Sequence, residues 1–215
     1  MKDKIKIIGG GLAGSEAAYY LAKKGYDIEL YDIKPKAYTP AHKSPLYGEL
    51  VCSNSLKSND VYANACGLLK EEMRILGSMV IDCADKTSVP AGAALAVDRD
   101  KFAEAITEKL KECDNIKFIC EDVQSFDLSE NVIVATGPLT TGGLCEFIGK
   151  ITGNGYYFYD AAAPIIAGDS IDMNEAFVAD RYGEAGVGDY INCPIDKEGY
   201  LAFYKELITA KRAEL

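Results

Sequence analysis

The sequence lacks any run of about eighteen apolar residues, the length that a membrane-spanning helix needs. Its N-terminus, MKDKIKIIGG, has only four apolar residues, interrupted by lysines, before the glycines, which is too short for the hydrophobic part of a signal peptide. We therefore expect a cytoplasmic location. What the chain does have is 215 residues, 48% of them apolar, enough to bury a sizeable core in one large domain or slightly more.

Metal-binding and disulfide patterns are also missing. The seven cysteines show no CxxC pairing and their number is odd, which argues against a disulfide framework or a zinc site, so we expect no metal. The single histidine, His42, is expected to be a surface or packing residue. The net charge of −10 gives no general attraction to nucleic acid or to an anionic membrane, so any such binding needs a local basic patch.

The N-terminal segment has the pattern of a βαβ unit. Residues 4–8 (KIKII) form a short apolar run, and residues 26–33 (YDIELYDI) read as a second strand. Between them a helix is predicted, because apolar residues recur on one helical face and Gly25 stands where the helix should end. A right-handed crossover makes two such strands parallel neighbours, which predicts an α/β fold.

A glycine motif of the form G-x-G-x-x-G lies between the first strand and the helix. Gly9 permits the tight turn, Gly11 lets the backbone approach a pyrophosphate at the positive end of the helix, and Gly14 lets the helix pack on the strand. Asp32 ends the second strand, where its carboxylate can accept hydrogen bonds from ribose hydroxyls. We predict dinucleotide binding over the alternative, a glycine-rich turn that binds nothing. The predicted cofactor-binding residues of the turn are Gly9, Gly10, Gly11, Leu12, Ala13 and Gly14.

The glycine motif alone does not separate FAD from NAD. The segment VIVATG, residues 132–137, favours FAD, because a late strand ending in Ala-Thr-Gly resembles the segment that returns the chain to the FAD in two-domain flavoproteins. The alternative is an ordinary strand followed by a turn. On the first interpretation Thr136 and Gly137 join the cofactor-binding residues. Arg99, at the start of a predicted helix in VDRDKF, is either a cofactor-binding residue or a solvated charge.

The chain changes character at Pro138. Before it, an aperiodic stretch from Lys34 to Asn64 is followed by predicted helices at 65–77 and from Asp98 onward, and by the strands IKFIC and NVIVATG. After it, short strands are predicted in YYFYDAAAPII, VADRY and YINCPI, and a helix at 197–214. We expect a Rossmann-like FAD-binding domain over residues 1–137 and a smaller α+β insertion or substrate subdomain over residues 138–215.

Cys52 lies in the polar stretch GELVCSNSLKSND, residues 48–60. A buried structural cysteine normally has apolar neighbours, whereas this one is enclosed by small polar residues. Taken alone, it would be a free surface or half-buried thiol, because serine and asparagine do not activate a thiol as a nearby cation does. Lys57 could be such a cation, but the sequence does not place it beside the thiol.

Several stretches together resemble one family. They are GGGLAGSEAAYYLAKKG, TPAHKS, ELVCSNSLKSN, GLLKEEMRILGSMVIDCAD, VPAGAALAVDRDKF, VATGPLT, YFYDAAAPII and SIDMNEAF. These stretches are similar to the TrmFO proteins, the folate- and FAD-dependent tRNA uracil-5-methyltransferases, which are related to the GidA tRNA-modifying flavoproteins. The resemblance runs from Lys4 to Leu215, and ELVCSNSL with YDAAAPI is far more specific than a glycine motif.

This resemblance implies a catalytic role for Cys52, on a loop that reaches the flavin. It also implies that 5,10-methylenetetrahydrofolate gives its one-carbon unit to reduced FAD, which passes it to C5 of a uridine in the tRNA T loop, while NAD(P)H supplies electrons. Activation of uracil C5 needs a nucleophile at C6 and a base for the C5 proton, and a thiol suits either task. The family carries its second catalytic cysteine further downstream, and Cys193 matches a different family segment.

Proteins of this family extend well beyond the equivalent of residue 215, so we interpret the chain as the N-terminal part of a TrmFO-type flavoprotein. Three alternatives stay open. One is a family variant that methylates ribosomal RNA. Another is a flavin or NAD oxidoreductase that acts on a small molecule. The third is a non-catalytic fragment that binds at most the ADP part of FAD.

Overall fold

The computed structural model describes residues 4–138, 140, 142–153, 166–180 and 188–211. The chain divides into two units, Met1–Ala163 and Pro164–Leu215. The division falls after residue 163, whereas the sequence predicted a domain boundary between residues 137 and 138, which stays a prediction. The helix Gly142–Thr152 belongs to the first unit. The strand predicted in YYFYDAAAPII spans residues 156–166, and all of these except residue 166 lie outside the described part of the chain.

A four-stranded parallel sheet forms the centre of the first unit. Its strands, in spatial order, are β6 (Ile116–Cys120), β2 (Asp27–Asp32), β1 (Lys4–Ile8) and β7 (Val132–Val134). β1 pairs in parallel with both β2 and β7, so the end of β1 lies between the ends of its two neighbours. Parallel neighbours need a crossover connection, and helix α1 (Leu12–Lys23) supplies the one from β1 to β2. The predicted βαβ unit and the α/β class are therefore confirmed.

Four more helices follow among the described residues of the first unit. They are α2 (Ala65–Ile75), α3 (Met79–Lys86), α4 (Arg99–Lys111) and α5 (Gly142–Thr152). The helices predicted at 65–77 and from Asp98 are confirmed as α2 and α4. The Asp98 carboxylate accepts a hydrogen bond from the Lys101 N–H at 3.2 Å, which caps α4. The sequence prediction missed α3 and α5, and α3 directly follows α2 after a cap at Ser78.

The core of the first unit lies where α1, α3 and α4 pack against each other and against the sheet. Its fully buried side chains include Ile7 and Leu30 from β1 and β2, and Phe102, Ile106 and Leu110 from α4. The three α4 residues recur every four positions, so a single face of the helix is buried. This packing fixes the carboxyl end of β1, where the glycine motif lies.

A small antiparallel sheet lies within the same unit. It consists of β3 (Ser55–Ser58), β5 (Ala94–Val97) and β4 (Ser88–Val89), in that spatial order. The stretch from Lys34 to Asn64, predicted to be aperiodic, therefore contains a strand. β3 is polar and four residues long, and its pairing with β5 is what makes it a strand, so no local sequence period indicates it.

Among its described residues, the second unit contains a two-stranded antiparallel pair, one α-helix and a short 3-10 helix, Gly168–Ser170. The pair is β8 (Phe177–Val178) with β9 (Ile191–Asn192), and the helix is α6 (Lys197–Thr209). The strands agree with the short strands predicted in VADRY and YINCPI. The helix predicted at 197–214 is confirmed at its start, but its predicted end is wrong, because the helix ends at Thr209 and residues 210 and 211 are not helical. No helix in the described part of the chain is long and apolar enough to cross a membrane.

Candidate functional site

The glycine turn between β1 and α1 is held by close backbone packing. Gly9 has a φ of +105°, a conformation that glycine adopts far more easily than other residues, and its N–H donates to the Tyr31 carbonyl at 2.8 Å. A Cβ atom on Gly14 would lie 1.8 Å from the Gly9 carbonyl oxygen, so only glycine lets α1 approach β1 this closely. Gly9 and Gly14 therefore play the structural roles predicted for the first and last glycines of the motif.

Gly11 differs from its neighbours because it faces open space. A Cβ atom built on Gly11 would have no atom within 4 Å. Gly11 is also the N-cap of α1, where no side chain caps the helix and no acidic residue lies in the first turn. The first N–H groups of a helix have no partner within it, and they form a positive end that attracts anions. Leu12 and Ala13 begin the helix here, so the turn presents open, uncapped N–H groups of the kind that attract anions.

Asp32, at the end of β2, lies directly beside this turn. Its Oδ2 accepts a hydrogen bond from the Gly10 N–H at 2.8 Å, and its Oδ1 accepts one from the Lys34 N–H at 2.9 Å. An ionised carboxylate has about four acceptor positions, so Asp32 keeps capacity for a ligand hydroxyl. The structure brings Asp32 to the predicted place and adds a role in holding the turn.

Thr136 and Gly137 follow β7 and lie at the same edge of the sheet. The Ala135 N–H donates to the Ile8 carbonyl at 2.7 Å, which continues the pairing beyond β7. A Cβ atom on Gly9 would lie 2.6 Å from the Ala135 carbonyl oxygen and 2.8 Å from the Thr136 Cα. The structure therefore brings the VATG segment against the glycine turn, at the carboxyl ends of parallel strands where α/β proteins commonly bind ligands.

The loop that carries Cys52 is attached to the glycine turn. The Gly48 N–H donates a hydrogen bond to the Gly10 carbonyl at 2.9 Å. The Arg99 guanidinium donates a hydrogen bond to the Leu50 carbonyl, so Arg99 contacts the Cys52 loop. The sequence offered two interpretations of Arg99, a cofactor-binding residue or a solvated charge, and neither predicts this contact. Cys52 itself is exposed and has a free thiol.

Beyond Cys52 the chain is anchored to the small sheet. The Asn54 side chain donates to the Val97 carbonyl at 3.2 Å, and the Val97 N–H donates to the Asn54 carbonyl at 3.0 Å. Together with the Arg99 contact to Leu50, these bonds hold the chain on both sides of the thiol. Cys52 is therefore an exposed thiol between two fixed points, an arrangement that suits a reactive residue better than a packing residue.

Three residues near the site carried no recognisable signal in the sequence: Lys34, Tyr47 and Glu49. The Tyr47 ring occupies the space beside Gly10, where a Cβ atom would lie 2.4 Å from the Tyr47 Cδ1. Burial, followed by the negative charge of Asp32, raises the pKa of Tyr47 to about 12, so the phenol stays protonated at neutral pH. Glu49 belongs to the segment ELVCSNSL, but its partner Lys34 is distant in sequence and only the fold brings them together.

His42 lies in the same loop region. Its Nδ1 is 2.6 Å from the Thr39 hydroxyl. Burial, followed by the positive charge of Lys34, lowers the pKa of this histidine. A half-buried imidazole of this kind favours the neutral form near pH 7. Its contact with Thr39 agrees with the packing role expected from the sequence.

All seven cysteines are free thiols, and only Cys52 and Cys193 are exposed. Within the described ranges no group of three or more His, Cys, Asp or Glu side chains could hold a metal ion. The site consists instead of backbone N–H groups, one carboxylate and a thiol loop. This composition suits a phosphate-containing organic ligand.

Comparison with known proteins identifies the family. Residues 4–215 match the family described as glucose inhibited division protein A. A curated relative, the methylenetetrahydrofolate–tRNA-(uracil-5-)-methyltransferase TrmFO of Fusobacterium nucleatum, is 56% identical over 100% of this chain and 49% of its own length. The protein of the same name from Acetivibrio thermocellus is 53% identical over the same shares of the two chains.

Among solved structures, GidA from Aquifex aeolicus is 18% identical, with a TM-score of 0.47 over 60% of this chain and 21% of that one. The chain spans about half the length of the curated relatives it matches. The resemblance to TrmFO sequences is thus confirmed over the whole chain. On the match over residues 4–215, the chain belongs to the family described as glucose inhibited division protein A.

Proposed function

We propose that this chain is the N-terminal, FAD-binding part of an enzyme that methylates uridine C5 in tRNA. The observation that carries the proposal is the attachment of an exposed thiol loop to an open, uncapped glycine turn, through the Gly48 N–H and the Gly10 carbonyl. The names of the relatives supply the substrate class, tRNA, and the one-carbon donor, methylenetetrahydrofolate. A tRNA substrate agrees with the cytoplasmic location expected from the sequence.

The proposed roles of the cofactor-binding residues follow from their positions. The open face at Gly11 and the first N–H groups of α1 suit a pyrophosphate, because they combine space with positive charge. Asp32 keeps acceptor capacity for the hydroxyls of an adenosine ribose. Thr136 and Gly137 border the same edge. We assign Arg99 to the site through its contact with Leu50, which holds the Cys52 loop.

When bound, reduced FAD would supply the carrier for the one-carbon unit, with NAD(P)H as the source of electrons. The task of this chain's residues is to bind the cofactor and to present a thiol. Cys52 is exposed and fixed on both sides, so it can approach a uracil ring without unfolding of its loop. We propose that it acts either as the base that removes the C5 proton or as protection for the flavin-bound methylene, while a cysteine further downstream in the family serves as the nucleophile at C6.

The first experiment tests the cofactor site. Gly11→Val should abolish FAD retention, because the side chain would fill the open face, while circular dichroism should show an intact fold, since the position has no neighbour within 4 Å. Gly168→Val is the matched control, because Gly168 also faces open space but lies in the second unit. A Gly11→Val chain that retains FAD as well as wild type would contradict the assignment.

The second experiment tests Cys52. In a chain extended by the C-terminal half of a TrmFO relative, Cys52→Ala should reduce tRNA methylation by orders of magnitude. FAD binding should be unchanged, and stability should shift by only about 0.5 kcal/mol, because the side chain is exposed. Cys193→Ala, which removes the other exposed thiol, is the control and should retain methylation. Methylation that survives in Cys52→Ala would leave the thiol without a catalytic role.

The same extended chain separates the alternatives. Transfer of the one-carbon unit to ribosomal RNA instead of tRNA would identify the family variant. NADH oxidation with a small acceptor and no RNA requirement would identify an oxidoreductase.

A further inference from the structure

Glu49 and Lys34 form a buried ion pair that the proposed chemistry does not use. Only 5% of the Lys34 side chain and 11% of the Glu49 side chain are exposed, and the Lys34 Nζ lies 3.7 Å from the Glu49 Oε2. That oxygen is buried without a hydrogen-bond partner. Removing each of the two charges from water costs several kcal/mol, so a buried ion pair of this kind is not explained by a gain in folding stability.

The position of the pair suggests another purpose. Lys34 is joined to the glycine turn, because its N–H donates to Asp32 and Asp32 accepts from the Gly10 N–H. Glu49 belongs to the Cys52 loop, and its Oε1 accepts from the N–H groups of Lys43 and Ser44 at 2.8 and 3.1 Å. The ion pair therefore joins the cofactor turn to the loop through side chains.

A second set of hydrogen bonds links the same loop back to the glycine turn. The Lys34 ammonium donates to the Leu46 carbonyl, and two residues later the Gly48 N–H donates to the Gly10 carbonyl. The path runs from Gly10 through Asp32 and Lys34 to the loop and returns to Gly10. Every step is a direct contact, so this path connects the turn physically to the loop residues that precede Cys52.

We propose that Lys34 and Glu49 are positioning residues that couple occupancy of the glycine turn to the placement of Cys52. The proposal rests on the assignment of this turn to FAD. Cofactor binding would fix the Gly10 peptide, and the ion pair would then hold the loop in one arrangement. By thermodynamic reciprocity, the ordered loop in turn favours the bound cofactor.

The test uses the 215-residue chain with FAD as the probe. The rate at which iodoacetamide alkylates Cys52 is measured by peptide mass spectrometry, with and without saturating FAD, and exposed Cys193 is the internal reference. We expect FAD to slow alkylation of Cys52 by about tenfold, a typical coupling between sites, and to leave Cys193 unchanged.

The variants then separate positioning from simple shielding. In Glu49→Gln, FAD should still bind, but its effect on Cys52 should fall to roughly twofold or less, below the typical range of coupling between sites. Lys34→Arg keeps the positive charge and should retain most of the effect. Glu130→Gln removes the more exposed ion pair between Lys6 of β1 and Glu130, which does not touch the Cys52 loop path, and should behave as wild type.

A further measurement needs no variant and covers the case in which Glu49→Gln fails to fold. Hydrogen exchange of residues 43–50 in the wild-type chain should slow when FAD binds. If FAD binds but leaves this exchange unchanged, or protects Cys52 equally in wild type and Glu49→Gln, the coupling is wrong and the FAD site stands. If the wild-type chain does not bind FAD, both the coupling and the proposed function are wrong.

Discussion

Helices α4 and α6 have nearly the same design and opposite surroundings. Each has thirteen residues and an aspartate N-cap, Asp98 or Asp196, that accepts from the N–H three residues later. Each also places large apolar or aromatic residues at its fourth, eighth and twelfth positions. In α4 these are Phe102, Ile106 and Leu110, all with no exposed surface. In α6 they are Tyr200, Tyr204 and Ile208, which are 56%, 49% and 57% exposed.

The difference in exposure between α4 and α6 shows that regular spacing of apolar residues predicts a helix but does not predict whether that helix is buried. The period arises from the geometry of one helix, whereas burial needs a second surface of matching shape. In the first unit the parallel sheet and its neighbouring helices provide that surface for α4. Among the described residues of the second unit, Ala179 alone is a buried apolar residue. The predictions below test whether this contrast holds energetically.

The largest effect is expected at the fourth position of each helix. Phe102→Ala should lower the free energy of unfolding by about 3–5 kcal/mol, because it removes a fully buried ring and leaves a cavity. Tyr200→Ala, at the matched position of α6, should change it by no more than about 0.5 kcal/mol. Urea unfolding followed by circular dichroism measures both. A loss of several kcal/mol in Tyr200→Ala would show that the two helices have similar surroundings after all.

An intermediate effect is expected from the threonines of the two helices. The Thr107 hydroxyl of α4 is buried and accepts from the Tyr47 N–H at 2.9 Å. Thr107→Val should cost about 1–3 kcal/mol, because a partly buried N–H loses its acceptor. Thr209→Val is the control in α6, where the hydroxyl is exposed and donates to the Lys205 carbonyl at 2.8 Å. Equal losses in the two variants, measured by the same urea titration, would contradict the contrast.

The smallest effect concerns pH and the cap of α4. Hydrogen bonds from the Lys101 backbone and side chain hold the pKa of Asp98 below its usual value. A lowered folded-state pKa adds stability above the unfolded value of about 3.9, and this stability is lost as the pH falls through the folded value. Solvent exposure keeps the contribution small.

Asp98→Asn tests this pH dependence, because asparagine is an equally good N-cap without the charge. Melting temperatures of wild type and Asp98→Asn should be close at pH 7 and should change differently below about pH 4, where wild type loses more. Parallel melting curves over the whole acid range would show that the Asp98 charge contributes nothing to the folded state.

Local patterns were enough to predict part of the fold and part of the site. The βαβ unit, α2, α4 and α6 follow from apolar spacing and caps, and the glycine turn with Asp32 follows from its motif. The patterns missed α3 and α5, and they missed β3 because it is short and polar. The local patterns also did not predict the pairing of Lys34 with Glu49, because neither residue lies in a periodic segment.

The sequence by itself determined the α/β class, the identity of the turn residues and the unusual polar setting of Cys52, since these depend on neighbours along the chain. Only the tertiary structure decided which turn is open, which helix is buried and which loop is attached to which. Those features depend on contacts between distant segments, such as the Gly48 N–H with the Gly10 carbonyl and Arg99 with Leu50. A contact of this kind joins segments that only the folded sheet brings together, and no local pattern encodes it.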